Sequence, residues 1–146
     1  MQKRIFALWG ASSVGKTTTL RFIAREIMRS FFGAQANIEL EPLPKEDITV
    51  IITISSMRIG ITSQGDPGRG LFERLQTLVD ANCAIIFCAT RTSGETVREV
   101  EEIEKENNYR ATWVTNYQSG FEEERAKLNQ KSAEHIVQLM RNMCEI

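Results

Sequence analysis

The chain has 146 residues, enough to bury the core of one domain and too few for two ordinary ones. Hydrophobic residues make up 42% and charged residues 25%, an ordinary balance for a soluble globule and one that argues against extensive disorder. The 18 Lys and Arg against 19 Asp and Glu leave a net charge of −1, without the basic excess or stripe that backbone binding of nucleic acid calls for, so nucleic acid is not expected as a partner.

The first apolar run, Ile5-Phe6-Ala7-Leu8-Trp9, is short, continuous and ends at Gly10, as a strand buried on both faces does. After a glycine-rich turn, Leu20, Ile23, Ala24, Ile27, Met28 and Phe31 recur every three or four residues, which predicts an amphipathic helix stopped at Gly33. Residues 34–47 hold two prolines and no helical period, and read as a loop with a short extended piece at 38–40. The β-branched run 48–54 predicts a strand. The link through Ser55-Ser56-Met57 is too short for a crossover, so 58–63 should pair with it as an antiparallel hairpin. Residues 64–70 form a turn or loop by composition. Leu71, Phe72, Leu75, Leu78 and Val79 mark a second helix, and 83–89 a buried strand followed by the loop 90–94. A helix is expected over 95–106, with Val97, Val100 and Ile103 inward and its glutamates on a solvated face. Residues 110–117 read as the last strand, and 122–143 as the last helix. This alternation predicts an α/β fold of three layers: a mostly parallel sheet of about five strands, one hairpin strand antiparallel, and helices on both faces. Residues 1–146 are expected to form a single domain.

The three cysteines, Cys83, Cys88 and Cys144, and the single His135 do not have the spacing of a metal knuckle. Reduced, mostly buried thiols are expected. His135 reads as a partly buried helix residue, and Trp9 and Trp113 as core or sheet-face residues. The N-terminal apolar run is too short for a membrane span and a poor secretory signal, and no other stretch approaches about 18 apolar residues. A cytoplasmic protein without membrane contact is expected.

Gly10-Ala11-Ser12-Ser13-Val14-Gly15-Lys16-Thr17 fits G-x-x-x-x-G-K-[ST] at every fixed position, after an expected strand and before an expected helix. At these residues the chain resembles the P-loop nucleoside triphosphatases, whose Walker A motif this is, and the expected fold is theirs. A glycine-rich turn lets backbone N–H groups converge on phosphate oxygens, and the following helix aims its positive end at the same place. The resemblance implies that Lys16 reaches the β- and γ-phosphates, that Thr17 ligates Mg²⁺, and that Thr18 bonds the α-phosphate.

The family also places an Mg²⁺-holding acidic residue after a neighbouring strand, and Asp66 is the candidate. Asp47 stands before its strand, at what reads as the wrong end, and Asp80 falls on the second helix. In GTPases and many small kinases the metal-binding strand lies beside the P-loop strand. In ATPases of the AAA and RecA kind a strand is inserted, and a catalytic Glu often follows the Asp. Pro67 after Asp66 departs from that second pattern, and the hairpin 48–63 is similar to the GTPase arrangement. Yet Arg69 breaks D-x-x-G, and Thr115-Asn116-Tyr117-Gln118 lacks the Lys and Asp of N-K-x-D, so ATP is favoured over GTP. Ligands of open α/β sheets bind beyond the carboxyl ends of the strands. That rule adds Arg91 as a stabiliser of transferring charge, Gln64 to orient a water or a substrate, and Arg69 to contact phosphate or an acidic substrate. Asn116 and Tyr117 end the last expected parallel strand, where the resemblance implies the nucleotide base. Three functions remain open: an Mg²⁺-dependent ATPase, a kinase passing the γ-phosphate to a nucleotide or small molecule, and a nucleotide-dependent interaction module whose protein partner reads loops 34–47 and 64–70.

Overall fold

The computed structural model describes residues 1–11, 15–64 and 70–146. Along the chain these form β1 (Lys3–Trp9), α1 (Lys16–Ser30), β2 (Gln35–Ala36), β3 (Thr49–Ile54), β4 (Met57–Thr62), α2 (Gly70–Asp80), β5 (Ile85–Thr90), α3 (Glu95–Asn107), β6 (Tyr109–Val114) and α4 (Glu122–Cys144). The six strands lie in the order β2-β3-β4-β5-β1-β6. β4, β5, β1 and β6 are parallel, β3 is antiparallel to β4, and β2 is antiparallel to β3.

Burial explains the layering. β5 is buried at all six positions, and β1 is buried from Ile5 to Leu8. A strand dry on both faces needs cover on both. Side chains alternate along a strand, so Phe6 and Leu8 enter one core while Ile5 and Ala7 enter the other. The first core is closed by Leu20, Ile23, Ala24 and Ile27 of α1 and by Ala133, Ile136, Val137 and Met140 of α4. Both sets repeat at i, i+3, i+4, i+7, the stripe of a helix with one dry face. The second core is closed by Leu71, Leu75 and Leu78 of α2 and by Val100 and Ile103 of α3. Phe6 and Phe87 are register partners, and their rings stack 5.2 Å apart in the middle of the first core.

Four details depart from the sequence reading. The sheet has six strands rather than about five, because β2 pairs briefly with β3. The extended piece is at 35–36, not 38–40, and it stops where the Asn37 side chain accepts the Ile51 N–H at 2.8 Å in place of a backbone partner. β6 ends at Val114 rather than at 117; beyond it the Tyr117 N–H turns to the Ser132 hydroxyl at 2.7 Å. The hairpin forms as expected, but β4 is not beside β1, since β5 stands between them.

The glutamates of α3 are not all on a solvated face. Glu99 is 3% exposed and accepts the Phe72 N–H in the first turn of α2 at 3.2 Å, a carboxylate at a helix N-terminus. Glu104 accepts the Ala111 N–H at 2.7 Å on the outer edge of β6. Cys83 and Cys88 are buried, Cys144 is half-buried, and all three are free thiols. Burial pushes Cys83 up to about 11 and Cys88 to about 12, which leaves both inert as nucleophiles near neutrality. Among the described residues no helix is long and apolar enough to cross a membrane.

Candidate functional site

The parallel strands all end on one edge of the sheet, and the G-x-x-x-x-G-K-T segment links the end of β1 there to the start of α1. Gly15 caps α1 with φ +89°, a left-handed conformation that glycine takes without a Cβ penalty. No side chain caps the helix among the described residues, and its first turn carries no acidic residue. The positive end of α1 is therefore not neutralised by its own helix. A Cβ on Gly15 would lie 2.5 Å from Asn129 Oδ1 and 3.1 Å from Asn116 Nδ2, so α4 and the β6–α4 link press on this glycine.

Lys16 is the first residue of α1 and is only 8% exposed. Its ammonium has three donors and meets three acceptors, two from the loop and one from β5. Nζ donates to the carbonyl of Gly10, to that of Ala11 at 3.1 Å and to that of Thr90 at 2.7 Å. The last contact ties the loop to the end of β5. Burial, and then the neighbouring Arg91 guanidinium, lower the Lys16 pKa from 10.5 to about 8. Arg91 directly follows Thr90, and its N–H donates to the Thr96 hydroxyl at 2.9 Å, which fixes the turn into α3. The Arg91 guanidinium is thus close enough to Lys16 to bear on its charge.

Thr17 donates its hydroxyl to the Ser63 carbonyl at 3.3 Å, just past β4. Thr18 accepts from Arg21 at 3.4 Å. Gln64 is half-buried, and its carbonyl accepts from Arg74 of α2 at 2.9 Å. Ser12, Ser13, Val14, Asp66 and Arg69 lie outside the described residues.

Asp47 requires a correction. It precedes β3, but β3 runs opposite to β4, so its beginning lies on the same edge as the end of β4. Thr49 pairs with Thr62; one residue further out, the Ser63 N–H donates to Ile48 O at 2.9 Å and Ile48 N–H donates to Ser63 Oγ at 2.8 Å. The Ser63 hydroxyl in turn donates to Asp47 Oδ1 at 3.2 Å. Arg21 of α1 stands 4.0 Å from the same carboxylate oxygen and donates to Glu46 O at 3.2 Å. Asp80 remains at the last residue of α2, bonded to Gln76 at 2.9 Å.

Comparison of the chain with protein-family models, curated proteins and solved structures found no match.

Asn116 and Tyr117 lie beyond β6 rather than at its end. Asn116 is 3% exposed and reaches Asn129 Oδ1 at 3.5 Å, behind Gly15. Asn129 also accepts from the Thr19 hydroxyl at 3.4 Å, so it joins α1, α4 and the β6–α4 link. Tyr117 shares a 2.7 Å hydrogen bond with His135 Nδ1 at the rim of a cleft of about 320 Å³ between β6 and α4. His135 is exposed rather than partly buried. Trp9 ends β1 half in solvent, and Trp113 packs half-buried against the second core.

Sequence reasoning missed Ser63, Arg21 and Asn129. Asn129 had a signal: it extends the stripe of Ala133, Ile136 and Met140 by one turn, and a polar residue on a dry stripe needs a partner. Ser63 and Arg21 carried none, because their roles depend on how β3 folds back.

Proposed function

We propose that the chain binds Mg²⁺–ATP at residues 10–17 and hydrolyses the γ-phosphate. The observation that carries this reading is the Lys16 ammonium, held at the start of α1 by the carbonyls of Gly10, Ala11 and Thr90. A loop that gathers carbonyls around one cation, next to a helix N-terminus, offers a polyphosphate both a mobile charge and free N–H groups. Lys16 would leave its carbonyls for the β- and γ-oxygens, and Arg91 would approach the transferring group from the end of β5. Ser12, Ser13 and Val14 would complete the cradle, and Thr18 would turn from Arg21 to the α-phosphate.

The oxygen donors nearby suit Mg²⁺. The Thr17 hydroxyl is a hard ligand, and Asp66, on the segment after β4, is proposed as its acidic partner. When bound, Mg²⁺ would neutralise charge developing on the phosphoryl oxygens.

The strand order supports ATP. β5 between β1 and β4 is similar to the inserted-strand order of the AAA and RecA ATPases, while the hairpin alone is shared with the GTPases. Only four residues, Arg91 to Gly94, join β5 to α3, too few for a lid over a second substrate. That favours water over an acceptor molecule.

Purified protein incubated with Mg²⁺ and ATP is expected to release phosphate without added acceptor. A nucleotide or small molecule that becomes phosphorylated instead would assign a kinase. ATP binding without release would assign the interaction module.

A further inference from the structure

The segment before β3 and the segment after β4 meet at the start of α1, and the buried Ser63, the first residue after β4, is bonded both to Thr17 of α1 and to Asp47 before β3. Its carbonyl takes the Thr17 hydroxyl at 3.3 Å, and its hydroxyl reaches Asp47 at 3.2 Å. Ser63 is itself fixed by the paired bonds to Ile48. Thr17 and Asp47 are therefore each a single hydrogen bond from the same rigid residue.

We propose that Asp47, carried to the site by the reversed strand β3, is a carboxylate of the divalent-cation site, with Ser63 as its positioning residue. This rests on the nucleotide reading above. The Asp47 side chain is 38% exposed, so one face is open to a cation and its water. Its contacts with Ser63 and Arg21 both fall on Oδ1. Mg²⁺ binds few protein ligands and keeps several waters, so a carboxylate beside a ligating hydroxyl can hold it directly or through one water. Arg21 lies one helical turn after Thr17 and stands 4.0 Å from the Asp47 carboxylate. At 4.0 Å and partly in solvent that pair is weak, and a doubly charged ion can displace it.

The test is ATP affinity measured by calorimetry, in Mg²⁺ and in EDTA, for the wild type and Asp47→Asn. Mg²⁺ should tighten ATP binding to the wild type. Asp47→Asn should lose about tenfold or more of that gain, with affinity in EDTA equal to or tighter than that of the wild type because a negative charge beside the phosphates is gone, as expected when a carboxylate partner of a metal is removed. A gain kept in full by Asp47→Asn overturns the proposal and leaves the nucleotide site standing. Wild type that binds no ATP in either buffer overturns the nucleotide reading and this proposal with it. A mutation-free check guards against misfolding of the variant: with Mn²⁺ and ATP the Thr17 and Asp47 amide resonances of the wild type should broaden together, and a broadened Thr17 beside a sharp Asp47 overturns the assignment.

Discussion

Lys16 holds its charge against two pressures. Burial and Arg91 together bring its pKa from 10.5 to about 8, so the free site begins to lose its ammonium near pH 8. Because the folded value is lowered, the unfolded chain binds the extra proton between pH 8 and 10.5. The penalty of burying this charge is thus in full force below pH 8, and the group's contribution to stability rises with pH across that window. Binding of a triphosphate has the opposite sign, since phosphate oxygens favour the ammonium. ATP affinity should hold steady from pH 7 to 8 and then weaken by up to about tenfold per pH unit as the ammonium is lost. Lys16→Arg, which stays charged, should flatten the fall. A wild-type profile that is level from pH 8 to 9.5 would contradict this. The identity of Lys16 was legible in the spacing of two glycines. Its carbonyl partner Thr90, 74 residues away, was not, because only the pairing of β1 with β5 brings it near.

At the scale of elements, α1 and α4 meet at Gly15 with no room to spare. An Ala there would face two separate penalties: a left-handed backbone, costing about 1–2 kcal/mol, and a Cβ 2.5 Å from Asn129 Oδ1. Gly15→Ala should lower stability by about 2–4 kcal/mol in urea unfolding. Adding Asn129→Ala should recover the crowding part and leave the backbone part. The two changes should therefore be non-additive by about 1 kcal/mol or more. Strict additivity would show that α4 does not press on the loop. The helices themselves were plain in the sequence, since their apolar residues keep the three-and-four spacing that a half-buried helix requires. The end at which Asp47 stands was misjudged for a physical reason. A residue that precedes a strand lies at the far edge only if the strand is parallel to its neighbours, and the hairpin reverses β3. The solvated glutamate face was an overreading of charge alone, because Glu99 and Glu104 each have a backbone N–H to satisfy.

For the whole molecule, the three-layer α/β architecture follows from strands too apolar to leave either face in water. The order of those strands does not follow in the same way. Which strand sits beside β1 depends on how the connections cross the sheet, and no local pattern encodes that choice. The position of β5 between β1 and β4 matters, because it delivers Thr90 to Lys16. We propose that this edge of the sheet is a polyphosphate site organised by Lys16. Titration calorimetry of Mg²⁺–ATP into the wild type and Lys16→Ala tests it most directly. The wild type should give saturable heat, and Lys16→Ala, with its thermal unfolding little changed, should bind about 10- to 100-fold more weakly, the range expected for losing a charged hydrogen-bond donor. No heat from the wild type, or equal affinity in the two proteins, would contradict it.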